Sequence, residues 1–172
     1  GCTASTSVNV SINSAPTGTT SSNSPIGEKN KLNLFSSSAN SYLWQGPNGF
    51  TSVNQNPEIQ NINTLATGNY TLTIFDAIGC YTNIITSVII NPLPNITLNA
   101  SKREACVPEC IIFNAVSNAT GTNVIYSWNL DRSETSNING TTATGCYNTI
   151  GDFRPTVFVL DGNGCSNTAT GT

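Results

Sequence analysis

The sequence predicts an all-β protein built from two β-sandwich repeats in tandem, and three observations carry that reading. β-branched residues alternate with polar ones over short runs. Gly, Asn and Pro punctuate those runs as turn formers. The second half of the chain repeats the landmarks of the first. Helical periodicity is not visible over any useful length.

The elements follow in order. Residues 1–12, "GCTASTSVNVSI", read as a strand. In "KLNLF" Leu32 and Leu34 share one face. "SYLWQGPNGF" is a strand around Trp44 that ends in a turn, because Pro47 presets φ while Asn48 and Gly49 tolerate positive φ, and Phe50 can fold back onto the sandwich. "NYTLTIFD" places Tyr70, Leu72 and Ile74 on one face and Thr71 and Thr73 on the other. "YTNIITSVII" is a further strand, and the prolines of "NPLPN" break the pattern at residues 91–94. Beyond it come "CIIFNAV", "VIYSWNL" around Trp128, "PTVFVLD" and the tight turn "GNGC".

The repeat lies in the spacing. Trp44 matches Trp128, Gly68-Asn-Tyr70 matches Gly151-Asp-Phe153, and "DAIGC" ending at Cys80 matches "DGNGC" ending at Cys165, at offsets of 84, 83 and 85 residues. Residues 1–12 resemble residues 79–90, so they read as the last strand of a preceding repeat or as an edge strand of the first domain. The predicted domains are 13–92 and 93–172, the second cut short in its last strand. Short strands with turn signals every 8 to 12 residues and one Trp per repeat describe an immunoglobulin-like sandwich. Trp44 and Trp128 then belong to the core between the sheets. Tyr70, just after a Gly at a strand start, suits a tyrosine corner, and Phe153 keeps only the packing.

Composition excludes whole classes of function. Charged residues make up 9% of the 172, with a net charge of −3, so no basic stripe exists to meet phosphates and nucleic acid is not an expected partner. No apolar run is long enough to span a bilayer. The chain has no His, which removes the commonest general base and metal ligand, and the reading is of a protein that is not an enzyme. Asp131, Glu134, Asp152 and Asp161 are the acids that would serve calcium, yet they lack the dense alternation of a calcium loop and lone carboxylates at turns cap backbone amides. No metal or other cofactor is expected. Sequons at Asn9, Asn69, Asn95, Asn99, Asn118 and Asn139 are no more than a chain this rich in Asn, Ser and Thr produces by chance.

The six cysteines are Cys2, Cys80, Cys106, Cys110, Cys146 and Cys165. Only Cys106 and Cys110 lie close together, so a zinc site is incomplete and disulfides are the better reading. Four fall in the second domain and allow three connectivities. In an immunoglobulin-like sandwich Cys146 lies at the same end as the start of the "CIIF" strand, which favours its bonding Cys106 or Cys110. Cys2 and Cys80 are the odd pair, and a bond between them needs residues 1–12 to fold as an edge strand of the first domain beside "YTNIITSVII".

At this point the residues carry a resemblance. "YLWQGPNGFTSVNQNPEIQNINTLATGNYTLTIFDAIGC" resembles the Ig-like repeats of very large surface and secreted adhesins of gliding Bacteroidetes, over most of residues 24–91. Residues 95–165 resemble the polycystic-kidney-disease-type (PKD-like) sandwiches that accompany them, although Leu130-Asp131-Arg132 replaces their usual Gly-Asp-Gly. The resemblance implies export by the type IX secretion system and display at the outer cell surface. It also implies adhesion, gliding or a spacer role in an extracellular fibre or filament, with neighbouring repeats, other fibre subunits or surface polysaccharide as partners. Related repeats carry a Cys within the stretch that reads "SPIGEK" here, where Gly27 or its neighbours replace it and leave Cys80 without that partner. A second expectation is a carbohydrate-binding or accessory module of a secreted polysaccharide-degrading enzyme. Trp44 and Phe50 would then form a stacking platform, with Gln45 and Asn48 as hydrogen-bonding groups.

Overall fold

A computed structural model describes residues 1–171, Thr135 by its backbone alone. In chain order the strands are β1 (Thr20–Ser22), β2 (Ile26–Gly27), β3 (Leu32–Ser36), β4 (Ser41–Gln45), β5 (Thr51–Ser52), β6 (Glu58–Ile59), β7 (Gly68–Phe75) and β8 (Tyr81–Val88). They continue as β9 (Ile90–Asn91), β10 (Ile96–Ala100), β11 (Glu109–Ser117), β12 (Ile125–Asn129), β13 (Thr135–Asn139), β14 (Thr142–Tyr147), β15 (Thr156–Leu160) and β16 (Ser166–Thr170). Residues 1–19 form no strand, and Val8, Val10 and Ile12 stand exposed.

Two compact units emerge. The first takes Gly1–Ser24, Lys31–Ile59 and Leu65–Val88; the second takes Pro25–Asn30, Gln60–Thr64 and the chain from Ile89 onward. Segments 25–30, 60–64 and 89–92, which the sequence pattern groups with the first repeat, therefore belong to the second unit.

In the first unit the sheets run β1-β3-β6 and β5-β4-β7-β8. Trp44 on β4 pairs in register with Leu72 on β7, and both are fully buried. Two residues before Leu72, buried Tyr70 donates its hydroxyl to the Ala66 carbonyl at 3.1 Å, the tyrosine corner of an immunoglobulin-like sandwich. In antibody domains the position after next is a Cys; here Leu72 fills it by packing alone. Beyond β4 the chain turns through Pro47–Gly49 with Asn48 at φ 55°, and Phe50 comes back onto Tyr70 with ring centroids 5.7 Å apart. Gly46 makes that approach possible, because a Cβ there would sit 2.5 Å from the Tyr70 ring.

The second unit has sheets β10-β11-β14-β13 and β12-β15-β16, the strand order of a constant-type immunoglobulin domain. Its core joins Ile111, Phe113, Leu130, Ala143 and Tyr147 to a second cluster of Ala115, Val157 and Val159, and half-buried Trp128 packs against both. The hairpin β13–β14 turns at Gly140-Thr141, with Gly140 at φ 56°. In the same unit β2 and β9 pair in parallel, Ile26 opposite Ile90. The Glu28 carboxylate accepts from the Thr64 and Leu93 amides at 3.1 and 3.4 Å, so one side chain ties all three segments.

The matched turns are built alike. The Asp76 carboxylate accepts from the Ile78 and Cys80 amides and the Asp161 carboxylate from the Asn163 and Cys165 amides, at 2.7 to 3.0 Å, with Gly79 and Gly164 at φ 90° and 77°. The pairing of Tyr70 with Phe153, in contrast, is out of step. Trp44 pairs with Leu72 and Trp128 with Val157, so the position equivalent to Tyr70 is Pro155, and Phe153 lies before β15.

A disulfide joins Cys110 to Cys146, directly opposite each other on neighbouring strands β11 and β14. It lies within one sheet, unlike the bond between sheets of antibody domains. Cys2, Cys80, Cys106 and Cys165 carry free thiols. Cys165, a disulfide candidate in sequence, faces Gly27, whose absent side chain leaves no sulfur to meet: a Cβ on Gly27 would lie 2.7 Å from Cys165 Sγ. Burial first, then the Asp161 and Glu28 carboxylates, raise the Cys165 thiol pKa, which suits an inert structural thiol. Cys2 is exposed on the strandless residues 1–19, and no strand pairing brings it to half-buried Cys80.

Candidate binding cleft

The second unit holds an open cleft of about 700 Å³ where segments 101–108 and 148–155 rise beside the ends of β11 and β14. Its floor is Leu98, Ile111, Phe113, Tyr147 and Phe153; its rim carries Lys102, Arg103, Glu104 and Arg154. An apolar floor with a few polar groups at the edge is the usual make-up of a ligand pocket of this size.

Each wall has a sequence cause. β10 and β11 are joined by "SKREACVP", too polar and too interrupted by Pro108 to pair, so the segment stands off the sheet. On the facing side Pro155 closes "NTIGDFR" before β15.

Tyr147 anchors the floor. Its hydroxyl donates to the Leu130 carbonyl at 2.7 Å, and its ring lies 4.2 Å from Phe153. The Arg132 guanidinium covers the Phe153 ring at 5.2 Å and donates to the Asp152 carbonyl at 3.1 Å. Asp131 accepts from the Arg154 amide at 2.6 Å, and this bond, with the Arg132 and Arg154 charges behind it, holds its carboxyl below the ordinary range. Burial raises the Tyr147 phenol, and the Asp131 charge adds to the rise. Asp131 and Arg132 both adopt positive φ, 44° and 60°. That is backbone a Gly would favour.

On the other wall Lys102 and Glu109 form an ion pair at 2.8 Å. The Lys102 hydrogen bond, then its charge, lowers the Glu109 pKa. Glu109 and Asp131 are thus both shifted down, the direction opposite to what a general acid needs.

Other sequence candidates are placed elsewhere. The Trp44–Phe50 platform does not form: Trp44 is fully buried, its Nε1 donating to the Gln55 carbonyl at 3.2 Å, and Phe50 packs on Tyr70. Trp128 Nε1 donates to the Gly140 carbonyl at 2.9 Å. The four acids considered for calcium do not gather. Asp131 and Asp161 cap backbone amides, Glu134 accepts from Asn148, and among the described residues no group of three His, Cys, Asp or Glu side chains could hold a metal. No helix is long and apolar enough to cross a membrane. The cleft itself escaped the sequence reading, although a signal was there. Lys102, Arg103, Glu104 and Glu109 crowd into eight positions of a chain with 6 basic and 9 acidic residues in all.

No protein-family model matches the chain, and no curated protein matches it. Among solved structures, the N-terminal eight Ig domains of Down Syndrome Cell Adhesion Molecule are similar with a TM-score of 0.57 at 15% identity, over 85% of this chain and 25% of that one. Murine CEACAM1b gives 0.45 at 13% identity, over 90% of this chain and 97% of that one. Three N-terminal domains of the bacteriophage RB49 Highly Immunogenic Outer Capsid protein give 0.42 at 12%, over 91% and 57%. The first of these likenesses, with the strand order above, shows an immunoglobulin-like fold.

Proposed function

We propose that the chain is a non-catalytic repeat segment of a secreted bacterial adhesin or extracellular fibre, displayed at the outer cell surface as a spacer or adhesive module. One observation carries the reading: two immunoglobulin-like sandwiches in tandem share one turn design, and the second is cross-linked by Cys110–Cys146. A disulfide suits an oxidising compartment outside the cell. Export by type IX secretion and a part in gliding follow from the resemblance of the Trp44 and Trp128 repeats. Residues 1–12 open on the Gly-Cys pair that also stands just before β8 and β16, and alternate Val8, Val10 and Ile12, which supports their reading as a last strand.

Adhesive contact is assigned to the cleft of the second unit, with Arg103 and Arg154 at its rim. The test is binding of the folded chain to a panel of cell surfaces and isolated polysaccharides, beside an Arg103→Ala/Arg154→Ala variant. Saturable binding to cells that the variant loses supports the adhesive module. Binding confined to isolated polysaccharide favours the accessory module of a polysaccharide-degrading enzyme, a reading the Tyr147–Phe153 floor keeps alive. No binding by the folded chain leaves the spacer.

A further inference from the structure

The outer face of the β5-β4-β7-β8 sheet in the first unit carries no charged residue. Alternation sends Trp44, Tyr70, Leu72 and Ile74 inward, so the residues between them face out. Register sets the outward rows: Phe75 beside Tyr81, then Leu43, Thr73 and Asn83 in line, then Ile85 one row further. Tyr81 and Ile85 are 59% and 62% exposed, the Phe75 and Tyr81 rings lie 6.1 Å apart, and Thr73 Oγ1 donates to Asn83 Oδ1 at 2.8 Å. The remaining outward positions on these strands are Ser, Thr, Asn or Gln. The nearest acid, Asp76, is held in its turn by the Ile78 and Cys80 amides.

We propose that this face docks on the same face of a second copy of the chain, as a weak two-fold contact. The chemistry selects that occupant. A two-fold contact brings each group close to its own kind, so a charged face repels itself while this one does not. Hydroxyl, amide and phenol groups each donate and accept, so the polar positions can pair with their own symmetry mates, which Lys, Arg or a carboxylate cannot do. Leu43, Phe75, Tyr81 and Ile85 supply the apolar area between them. Strands of 2, 5, 8 and 8 residues, about 4.8 Å apart at about 3.4 Å per residue, give a footprint of roughly 380 Å², a little under half of what each partner buries in a standard stable interface. The contact is therefore weak between single chains and gains strength where copies are arrayed. The corresponding face of the second unit has one strand fewer, with Ile125 and Phe158 outward, and serves as the comparison.

This contact goes beyond the adhesive reading and does not use the cleft. Sedimentation of the whole chain from about 10 μM to about 1 mM tests it. The expected result is an apparent mass rising toward twice the monomer's. Ile85→Asp and Ile85→Lys each hold the chain monomeric over that range, and an equimolar mixture of the two restores association. Ile85 is largely exposed, so circular dichroism should show both variants folded. Removal of residues 1–12 should leave the association unchanged. Four results would each overturn the proposal: a wild-type chain monomeric throughout, association untouched by both Ile85 variants, association abolished by Phe158→Lys instead, or association lost with residues 1–12. Surface binding by monomeric Ile85→Asp should stay intact, so the two readings fail separately.

Discussion

The two units reach the same kind of sandwich by different means. Of the nine largest fully buried side chains among the described residues, the first unit holds seven, led by Trp44 and Tyr70; the second holds Val157 and Val159. The first unit holds no disulfide among the described residues, and its aromatic core fills the space between the sheets. The second leaves Trp128 half-buried, opens a cleft beside Tyr147, and carries the Cys110–Cys146 bond. In a domain of this size a cross-link and a dense core are partly interchangeable sources of stability. The unit with the cross-link is the one that has room for a ligand.

The largest expected effect breaks the packed side. Trp44→Ala removes a fully buried indole and should destabilise the first unit by about 3 to 5 kcal/mol. Calorimetry should show one transition fall while the other holds. Next, Cys110→Ala with Cys146→Ala opens a loop of sequence separation 36 and should cost the second unit about 2 to 4 kcal/mol, with no change in the first. A common loss in both units under either change would sink the comparison.

Smaller changes sharpen it. Gly46→Ala drives a methyl toward the buried Tyr70 ring and should cost about 1 to 3 kcal/mol, read as a lower denaturant midpoint at an unchanged slope. Tyr70→Phe and Tyr147→Phe each remove one hydroxyl bonded to a carbonyl, in the first and second unit respectively, and should cost about 0.5 to 1.5 kcal/mol apiece. The smallest effect is on pH. Glu109 and Asp131 titrate below their unfolded values, so what they contribute is present above the ordinary carboxylate range and fades as pH falls through their folded pKa values. Melting of the second unit should therefore weaken below about pH 4, and Lys102→Ala should reduce that slope.

Much of this contrast was legible in the residues, and the failures have physical causes. Trp44, Tyr70 and the Asp-x-x-Gly-Cys turns announce themselves because each is a local device: an aromatic in a period-two run, or a carboxylate two and four residues before the amides it caps. The hairpin β13–β14 gave no apolar alternation to follow, since "TSNINGTTATGCY" buries little beyond Ala143 and Tyr147, and the sequence reading assigned it no strand. Phe153 was matched to Tyr70 by its neighbours in sequence, but the register of Trp128 with Val157 shifts the equivalence by two. The tied phenol of the second unit is Tyr147, on another strand altogether. The cleft depends on two segments about 45 positions apart, and nothing local in either declares the other.

The position of the disulfide matters most for a tether under load. A bond between neighbouring strands β11 and β14 encloses the chain between Cys110 and Cys146, so a pull on the ends cannot draw that length out. The enclosed stretch, of sequence separation 36, corresponds to about 120 Å of extended chain. A pull on the ends extends the second unit by only part of its contour and leaves β11 linked to β14 beside the cleft. The cross-link thus keeps the two strands beside the cleft joined while the rest of the unit extends.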